Sequence, residues 1–412
     1  MFIIIMADIY DCIVIGAGVL GSSSAYQLSK DGYKVLLLDQ FTLPHSRGSS
    51  HGAVRIICYP YTDPRLQAAM PEQHQMWSQL EKELSTTLTH EAPCLIVTTS
   101  RNKLYTSTLN GAKLAGYPCT EFSQDQFREN YTELNFPGCC AFRHDLRIID
   151  AHKAVQGLQN QFVKNRGTLL DGEKVMRIDP GRLVTVHTSN GHQFKAQGVV
   201  LTAGLWASKL LKPLGLDLPL KTWRVNVCYF REKEPGSLKN MPFLRYASEL
   251  DIESYSRLVA FPSREYPGLV KLNYHVLWNE VDPDCRDKGM GMRQVDIEEM
   301  KKFVRSHIPG LEREPAIVEP CMYTCTPNET PIIGSHPLHP NIAIACGMSG
   351  IGFKMAPLAG KVLGEMAMGK PPSFDTSLLG VEQNMQKIAK ASDDKTSFPE
   401  LNDTDLEKYK MK

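Results

Sequence analysis

No stretch of this 412-residue chain reaches the run of roughly 18 to 20 apolar residues that a bilayer-crossing helix needs, so no membrane span is expected. An excess of one charge is also missing. The 46 Lys and Arg against 45 Asp and Glu leave a net charge of +1, which provides no global field to recruit nucleic acid or an anionic membrane surface. The 11 cysteines are odd in number and irregularly spaced, with no repeated C-x-x-C, so neither a disulfide framework nor a metal site is assigned and a reducing compartment fits best. Neither an internal repeat nor a low-complexity tract is visible. The apolar opening, residues 1–6, lacks a basic leader and is too short for a signal-peptide core, and the final Met411-Lys412 does not complete a Ser-Lys-Leu-type peroxisomal address. These absences lead us to expect an intracellular protein that handles a small molecule. A hydrophobic fraction of 42% over such a length favours two domains, or one domain with a large insertion.

What is present starts at Ile13-Val14-Ile15-Gly16-Ala17-Gly18-Val19-Leu20-Gly21, an apolar run that breaks into G-x-G-x-x-G. Gly16 permits a tight turn out of a strand, Gly18 lets backbone approach a pyrophosphate, and Gly21 lets the next helix pack on the sheet while its N-terminal amides face the phosphates. A helix over 22–30 and an apolar strand ending in Asp39 follow, and Asp39 is positioned to accept from a ribose hydroxyl. The reading is a dinucleotide cradle.

Pieces of the same architecture recur downstream. Asp150 is a suitable N-cap for a helix bearing Ala151, Val155, Leu158 and Phe162 at helical spacing. Strands over 183–188 and 192–196 flank Asn190-Gly191, a hairpin turn, and a separate buried strand runs over 199–202 into Ala203-Gly204. Residues 342–346 form another buried strand, followed by a glycine-rich turn and a helix in which Pro357 is expected near the tolerant first turn. Strands over 225–230 and 269–274 belong to a more antiparallel unit. The segment after Pro371 is polar and is expected to lie loosely on the surface. The expected fold is therefore α/β (α+β overall), a Rossmann-like unit of residues 1–90, 150–215 and 321–385 with an inserted, largely antiparallel substrate unit of 91–149 and 216–320, and a polar tail over 386–412.

The segments Pro44-His45-Ser46-Arg47-Gly48-Ser49-Ser50-His51-Gly52, Cys321-Met322-Tyr323-Thr324 and Gly350-Ile351-Gly352-Phe353-Lys354 together resemble the monomeric sarcosine oxidase family, and most of all its peroxisomal sarcosine and L-pipecolate oxidase branch. The resemblance runs from about residue 11 to residue 371, and Glu265-Tyr266-Pro267-Gly268 strengthens it. It implies a monomeric FAD-dependent oxidase that converts the C–N bond of a secondary amino acid to an imine and passes the electrons to O2, giving H2O2.

The same resemblance implies roles for particular residues. Cys321 matches the cysteine joined by a thioether to the flavin 8α-carbon, although taken alone it reads as a packing cysteine. Ser49, Ser50, His51, Val175, Met348, Gly350 and Gly352 join Gly16, Gly18, Gly21 and Asp39 as cofactor contacts. Lys271 matches a lysine used for oxygen activation and His275 a histidine beside the substrate; at i and i+4 on one strand they face the same way. Lys354 matches the lysine that meets the substrate carboxylate and the cofactor, Arg55 an arginine near the ring, and Tyr323 supplies a substrate-side hydroxyl.

Two positions depart from the family pattern. Where the family reads Arg-Ile-Ile-Arg this chain has Arg55-Ile56-Ile57-Cys58, which removes half of a carboxylate clamp, and Ile351 stands where the family has histidine. A bidentate arginine contact is strong and directional, so a larger or cyclic secondary amino acid, held by apolar contact, is expected to suit this chain better than sarcosine. A flavin dehydrogenase with another electron acceptor, and a flavin-binding paralogue without turnover, remain alternatives. Peroxisomes follow from the resemblance and the cytosol from the terminal tripeptide.

Overall fold

The computed structural model of the chain describes residues 9–57, 64–114, 116–247, 258–275, 279–286 and 295–393. Cys58 and the chain beyond residue 393 lie outside the described residues. Among those described, the strands form two sheets, and the fold is mixed α/β as expected.

The main path of the first sheet runs Ile332–Ser335, Ile342–Cys346, Gln193–Leu201, Ile9–Ile15, Val35–Leu38 and Thr168–Leu170, parallel except for the outermost Ile332–Ser335, and the hairpin Val175–Asp179/Val184–Thr188 joins it antiparallel through Gln193–Leu201. All four side chains of Val35–Leu38 are buried, as a parallel sheet covered on both faces requires. Cys12, Val14 and Leu37 face a core built with the helices Val19–Lys30, Ala151–Lys164 and Gly352–Ala367. Ile13, Ile15, Leu36 and Leu38 face the other way, towards the hairpin Val175–Asp179/Val184–Thr188 and the short helix Ala207–Leu211. The second sheet contains Lys221–Glu232, Phe243–Ala247, Leu258–Pro262, Leu269–Tyr274, Leu311–Cys325, Thr89–Thr98 and Cys140–Asp150. It is antiparallel apart from the pairing of Phe243–Ala247 with Thr89–Thr98. The strand Val54–Ile56 and the segment 321–325, grouped by sequence with the cofactor unit, pair into this second sheet.

Four local expectations are corrected. The strands placed over 192–196 and 199–202 are one strand, Gln193–Leu201, because it pairs with Ile9–Ile15 on one side along its length while its first half also pairs with Val184–Thr188. Asp150 sits at the N-cap of its helix but makes no side-chain cap; its carboxylate is drawn to Arg264 at 2.8 Å and Lys153 at 3.4 Å instead. Pro357 lies inside its helix beyond the first turn, where it removes an internal hydrogen bond. The segment after Pro371 is not wholly loose: Val381–Asp393 is a helix, with Val381 and Asn384 buried and the Asn384 amide donating to the Pro331 carbonyl at 3.3 Å.

The nucleotide-loop helix and the last long helix pack at glycine. A Cβ on Gly360 would lie 2.6 Å from Ser23 Cβ and 2.8 Å from the Ser23 carbonyl carbon, whereas one on Gly364 would meet only the movable Leu28 side chain at 3.0 Å. Gly360→Ala is expected to cost about 2 kcal/mol or more by overpacking, read as a lower urea midpoint at unchanged m-value, with Gly364→Ala costing less. Equal costs would show that the Ser23 contact is not the constraint.

Candidate functional site

Between the two sheets lies a cavity of about 540 Å³. One end is lined by Gly16, Gly18, Asp39, Glu173 and Val175, the other by Arg55, Lys271, His275, Cys321, Tyr323 and Lys354, with Ser49, Ser50, His51, Met348, Gly350 and Gly352 along the way. Every site residue expected from sequence is therefore at this cavity except Gly21. Gly21 acts behind it, since a Cβ there would fall 1.8 Å from the Gly16 carbonyl oxygen.

The nucleotide end is tied together by short polar contacts. Gly16 has φ +97°, a conformation L side chains rarely adopt, and a Cβ would stand 2.5 Å from the Thr202 carbonyl. Asp39 Oδ2 accepts from the Ala17 amide at 2.8 Å and Oδ1 from the Phe41 amide at 2.9 Å, so the acid braces the glycine turn. A carboxylate accepts about four hydrogen bonds, which leaves capacity for a ribose hydroxyl. Ser50 Oγ accepts from the Val19 amide at 3.0 Å, at the helix N-terminus where phosphate recognition is expected. Ser49 Oγ donates to the Met322 carbonyl at 2.7 Å, and the Arg55 guanidinium donates to the carbonyls of Ser49, His51 and Val54. Burial holds His51 below its ordinary pKa.

At the other end the second sheet turns one face to the cavity, and its register sorts the facing side chains into rows. Tyr229 pairs with Lys271 and Lys271 with Phe261, on which Phe243 stacks at 4.2 Å between centroids. Two residues along the strands, Glu319 pairs with Val227, Val227 with Asn273, Asn273 with Val259 and Val259 with Arg245. A further two along are Cys321, paired with Val225, and His275, just past the end of its strand. All of these line the cavity.

Lys271 is nearly buried and its Nζ donates to Glu265 Oε1 at 2.8 Å, with the Tyr229 ring 5.4 Å away. Burial alone would raise the Glu265 pKa, but the charge and hydrogen bond of Lys271, with the Ala53 amide at 3.2 Å, pull it below the ordinary carboxylate value. Glu319 accepts from Tyr266 at 2.6 Å and Tyr229 at 3.0 Å. His275 offers its ring to the open space of the cavity, 6.3 Å from the Tyr323 ring. Burial, then the charges of Arg245, Lys354 and Arg55, drive its pKa from 6.5 to about 4, so the imidazole is neutral at neutral pH. Burial pushes the Tyr323 hydroxyl well above its usual value and the Cys325 thiol up to about 12.

Sequence reasoning did not assign roles to Glu265, Glu319, Asn273 or Arg245. Glu265 had a local signal, its place in Glu265-Tyr266-Pro267-Gly268, whereas Arg245 reaches the cavity only through the strand register. Among the described residues no group of His, Cys, Asp and Glu is arranged to hold a metal ion, and no helix is long and apolar enough to cross a membrane.

A glycine turn at a helix N-terminus, braced by an acid and opening into a cavity lined at its far end by cations and a thiol, defines a nucleotide-cofactor oxidoreductase. The cradle, the donors and the length of the lining fit FAD. The family model described as FAD dependent oxidoreductase matches residues 11–366. The chain is 41% identical over 376 residues to a peroxisomal sarcosine oxidase of Mus musculus, covering 89% of this chain and 94% of that protein. It is 29% identical over 387 residues to a monomeric sarcosine oxidase of Bacillus sp. (strain NS-129), covering 93% and 99%. The solved structure of NikD, an unusual amino acid oxidase essential for nikkomycin biosynthesis, superposes with a TM-score of 0.77 at 21% identity, covering 90% of this chain and 97% of that one. The chain belongs to the FAD dependent oxidoreductase family, among its sarcosine oxidases. It is an FAD-dependent amine oxidoreductase.

The neutral His275 has a consequence for stability. From about pH 6.5 down to about pH 4 the unfolded chain binds a proton here that the folded chain refuses, so stability is lost as pH falls through that window and is unaffected above it. His275→Gln is expected to lose less Tm than the wild type between about pH 7 and about pH 5. An equal or larger loss would overturn the assignment.

Proposed function

We propose that this enzyme oxidises a secondary amino acid larger than sarcosine, carries its FAD covalently on Cys321, uses O2 as acceptor and releases H2O2. It acts as a monomer, in the peroxisome, as its mouse relative's name indicates for that protein. The cofactor unit is assembled from 1–90, 150–215 and 321–385 and the substrate unit from 91–149 and 216–320, with Val54–Ile56 and 321–325 as the seam. The observation that carries this reading is the one cavity shared by the nucleotide cradle and by Cys321, Lys271, His275 and Lys354.

Bound flavin supplies the two-electron chemistry. The chain's own residues do the rest. Lys354, in the first turn of the helix Gly352–Ala367, meets the substrate carboxylate with its ammonium. Neutral His275 adds no positive charge beside the amine and accepts a hydrogen bond from its N–H, which favours the binding of an amine with its lone pair free. Tyr323 borders the amine and limits its motion. Lys271, held in place by Glu265, places positive charge where dioxygen takes up electrons. Arg55 fixes the loop over the ring by holding its carbonyls. Cys321, which lines the same cavity, would hold the flavin covalently through its sulfur.

Flavin retained by denatured wild type and released from Cys321→Ala, with Cys325→Ala behaving as wild type, is the expected outcome in acid-precipitated protein; release from the wild type removes the tether. In anaerobic bleaching, L-pipecolate is expected to reduce the flavin faster than sarcosine, with fast reoxidation in air. Sarcosine reducing it as fast or faster would refute the preference, and slow reoxidation would point to a dehydrogenase. Cys58→Arg is expected to tighten small carboxylates about tenfold, as a regained charge-assisted fork does.

A further inference from the structure

Lys271, Asn273 and His275 line the substrate end of the cavity at every second position of one stretch of chain. Alternation sets them on one face, about 7 Å apart from one to the next, while Leu272 points back into the core behind the sheet. Lys271 and His275 have tasks in the proposed reaction, and Asn273 has none. Its cross-strand neighbours are Val227 and Val259, both nearly buried and both lining the cavity, so the carboxamide stands in an apolar row about 5 Å from the strand on either side. Other polar groups on this sheet face are held by the protein: Lys271 by Glu265, Glu319 by Tyr229 and Tyr266, and Arg245 is engaged as well. The Asn273 carboxamide differs from them. Its Oδ1 is shut off from solvent without a hydrogen-bond partner, and among the described residues the carboxamide as a whole has none.

Resting on the oxidase reading above, we infer that Asn273 is a specificity-determining residue whose carboxamide binds a hydroxyl of the substrate, so that the substrate is a hydroxylated cyclic secondary amino acid. Lys354 and His275 meet the carboxylate and the amine, which every such substrate carries, and neither selects among rings. Asn273 stands about 7 Å along the strand from His275, the reach of a six-membered ring that bears a polar substituent on the side away from its nitrogen. The torsion that turns an asparagine amide is broad and roughly two-fold, so either end can be brought to a group in the cavity. A hydroxyl suits both ends, because it accepts from Nδ2 and donates to Oδ1, whereas a second carboxylate only accepts and a second ammonium only donates. Val227 and Val259 keep the contact dry. An unsubstituted ring laid over Asn273 would cover the amide and give it nothing in exchange, and a site built around a polar group rejects the ligand that leaves that group unpaired.

The test uses flavin-loaded enzyme and compares L-pipecolate with its 4-hydroxy and 5-hydroxy derivatives, each in both configurations. The concentration dependence of anaerobic flavin bleaching separates dissociation constants from limiting rates. The wild type is expected to bind at least one hydroxylated ligand about tenfold tighter than L-pipecolate. Asn273→Leu, similar in shape but with neither donor nor acceptor, is expected to abolish that preference by weakening the hydroxylated ligand alone, and Asn273→Gln to keep part of it. The effect is expected in the dissociation constants and not in the limiting rates, a split that a general loosening of the site would not give. Flavin absorbance and Tm establish that the variants are loaded and folded, and Asn273→Gln carries the comparison if the leucine variant is not. A wild type that favours none of the hydroxylated ligands would overturn the proposal, and so would equal weakening of all ligands by Asn273→Leu. A displaced flavin absorbance maximum in Asn273→Leu with the preference intact would also overturn it, because the amide would then serve the flavin. Failure of every ligand to bleach the wild-type flavin would instead overturn the oxidase reading, and this inference with it.

Discussion

Residues 49–55 are the point at which the two sheets are fixed to one another. Ser50 binds the first helix through the Val19 amide, Ser49 binds the strand of Cys321 through the Met322 carbonyl, and the Ala53 amide binds Glu265, the partner of Lys271. On its other side the Ala53 carbonyl accepts from the Ala151 amide at 2.6 Å. Surface loops are ordinarily mobile, but here backbone and side-chain groups are satisfied from both walls of the cavity, and Arg55 gathers the remaining carbonyls. A shift of this segment would break contacts to the nucleotide cradle and to Glu265, the partner of Lys271, at once, so the distance between the two ends of the cavity is set by one stretch of chain.

Charge in the cavity is arranged by pairing rather than by number. Lys271 is paired with Glu265, in a nearly buried pair whose disruption from one side commonly costs about 3 to 5 kcal/mol. Arg55 spends its donors on neutral carbonyls. The positive field acting on His275 thus comes chiefly from Arg245 and Lys354, and burial together with that field keeps the imidazole neutral. Glu319 stays apart from this because two tyrosine hydroxyls hold it.

The parts legible in the sequence are those governed by short range. Gly16, Gly18 and Gly21 are spaced by the needs of one turn, with Gly16 at a positive φ in the turn and Gly21 placed behind the cavity and not on it, where only a glycine clears the Gly16 carbonyl. The buried strand 342–346 could be read from its apolar run. The parts that were not legible depend on what lies opposite. Nothing in residues 192–202 says that one strand will be shared between an antiparallel and a parallel neighbour. Asp150 has the side chain of an N-cap, but Arg264, 114 positions away, competes for it. Arg245 sits in an unremarkable apolar strand, and only the register across Val259 and Asn273 brings it to the substrate end.

That dependence on register has an evolutionary corollary in physical terms. The nucleotide end is built at the carboxyl ends of parallel strands, where loop geometry dictates residue type and substitution is penalised by backbone clashes of 1.8 to 2.5 Å. The substrate end is built on the face of a largely antiparallel sheet, where each lining side chain occupies a separate grid position. A side chain there can change while the strand's backbone hydrogen bonds, and the lysine two strands away, keep their places. A lining side chain on one strand can therefore vary without disturbing Lys271 and its partner Glu265. A shared fold at 21% identity to NikD is what such a division permits, because the cradle is constrained and the grid is not.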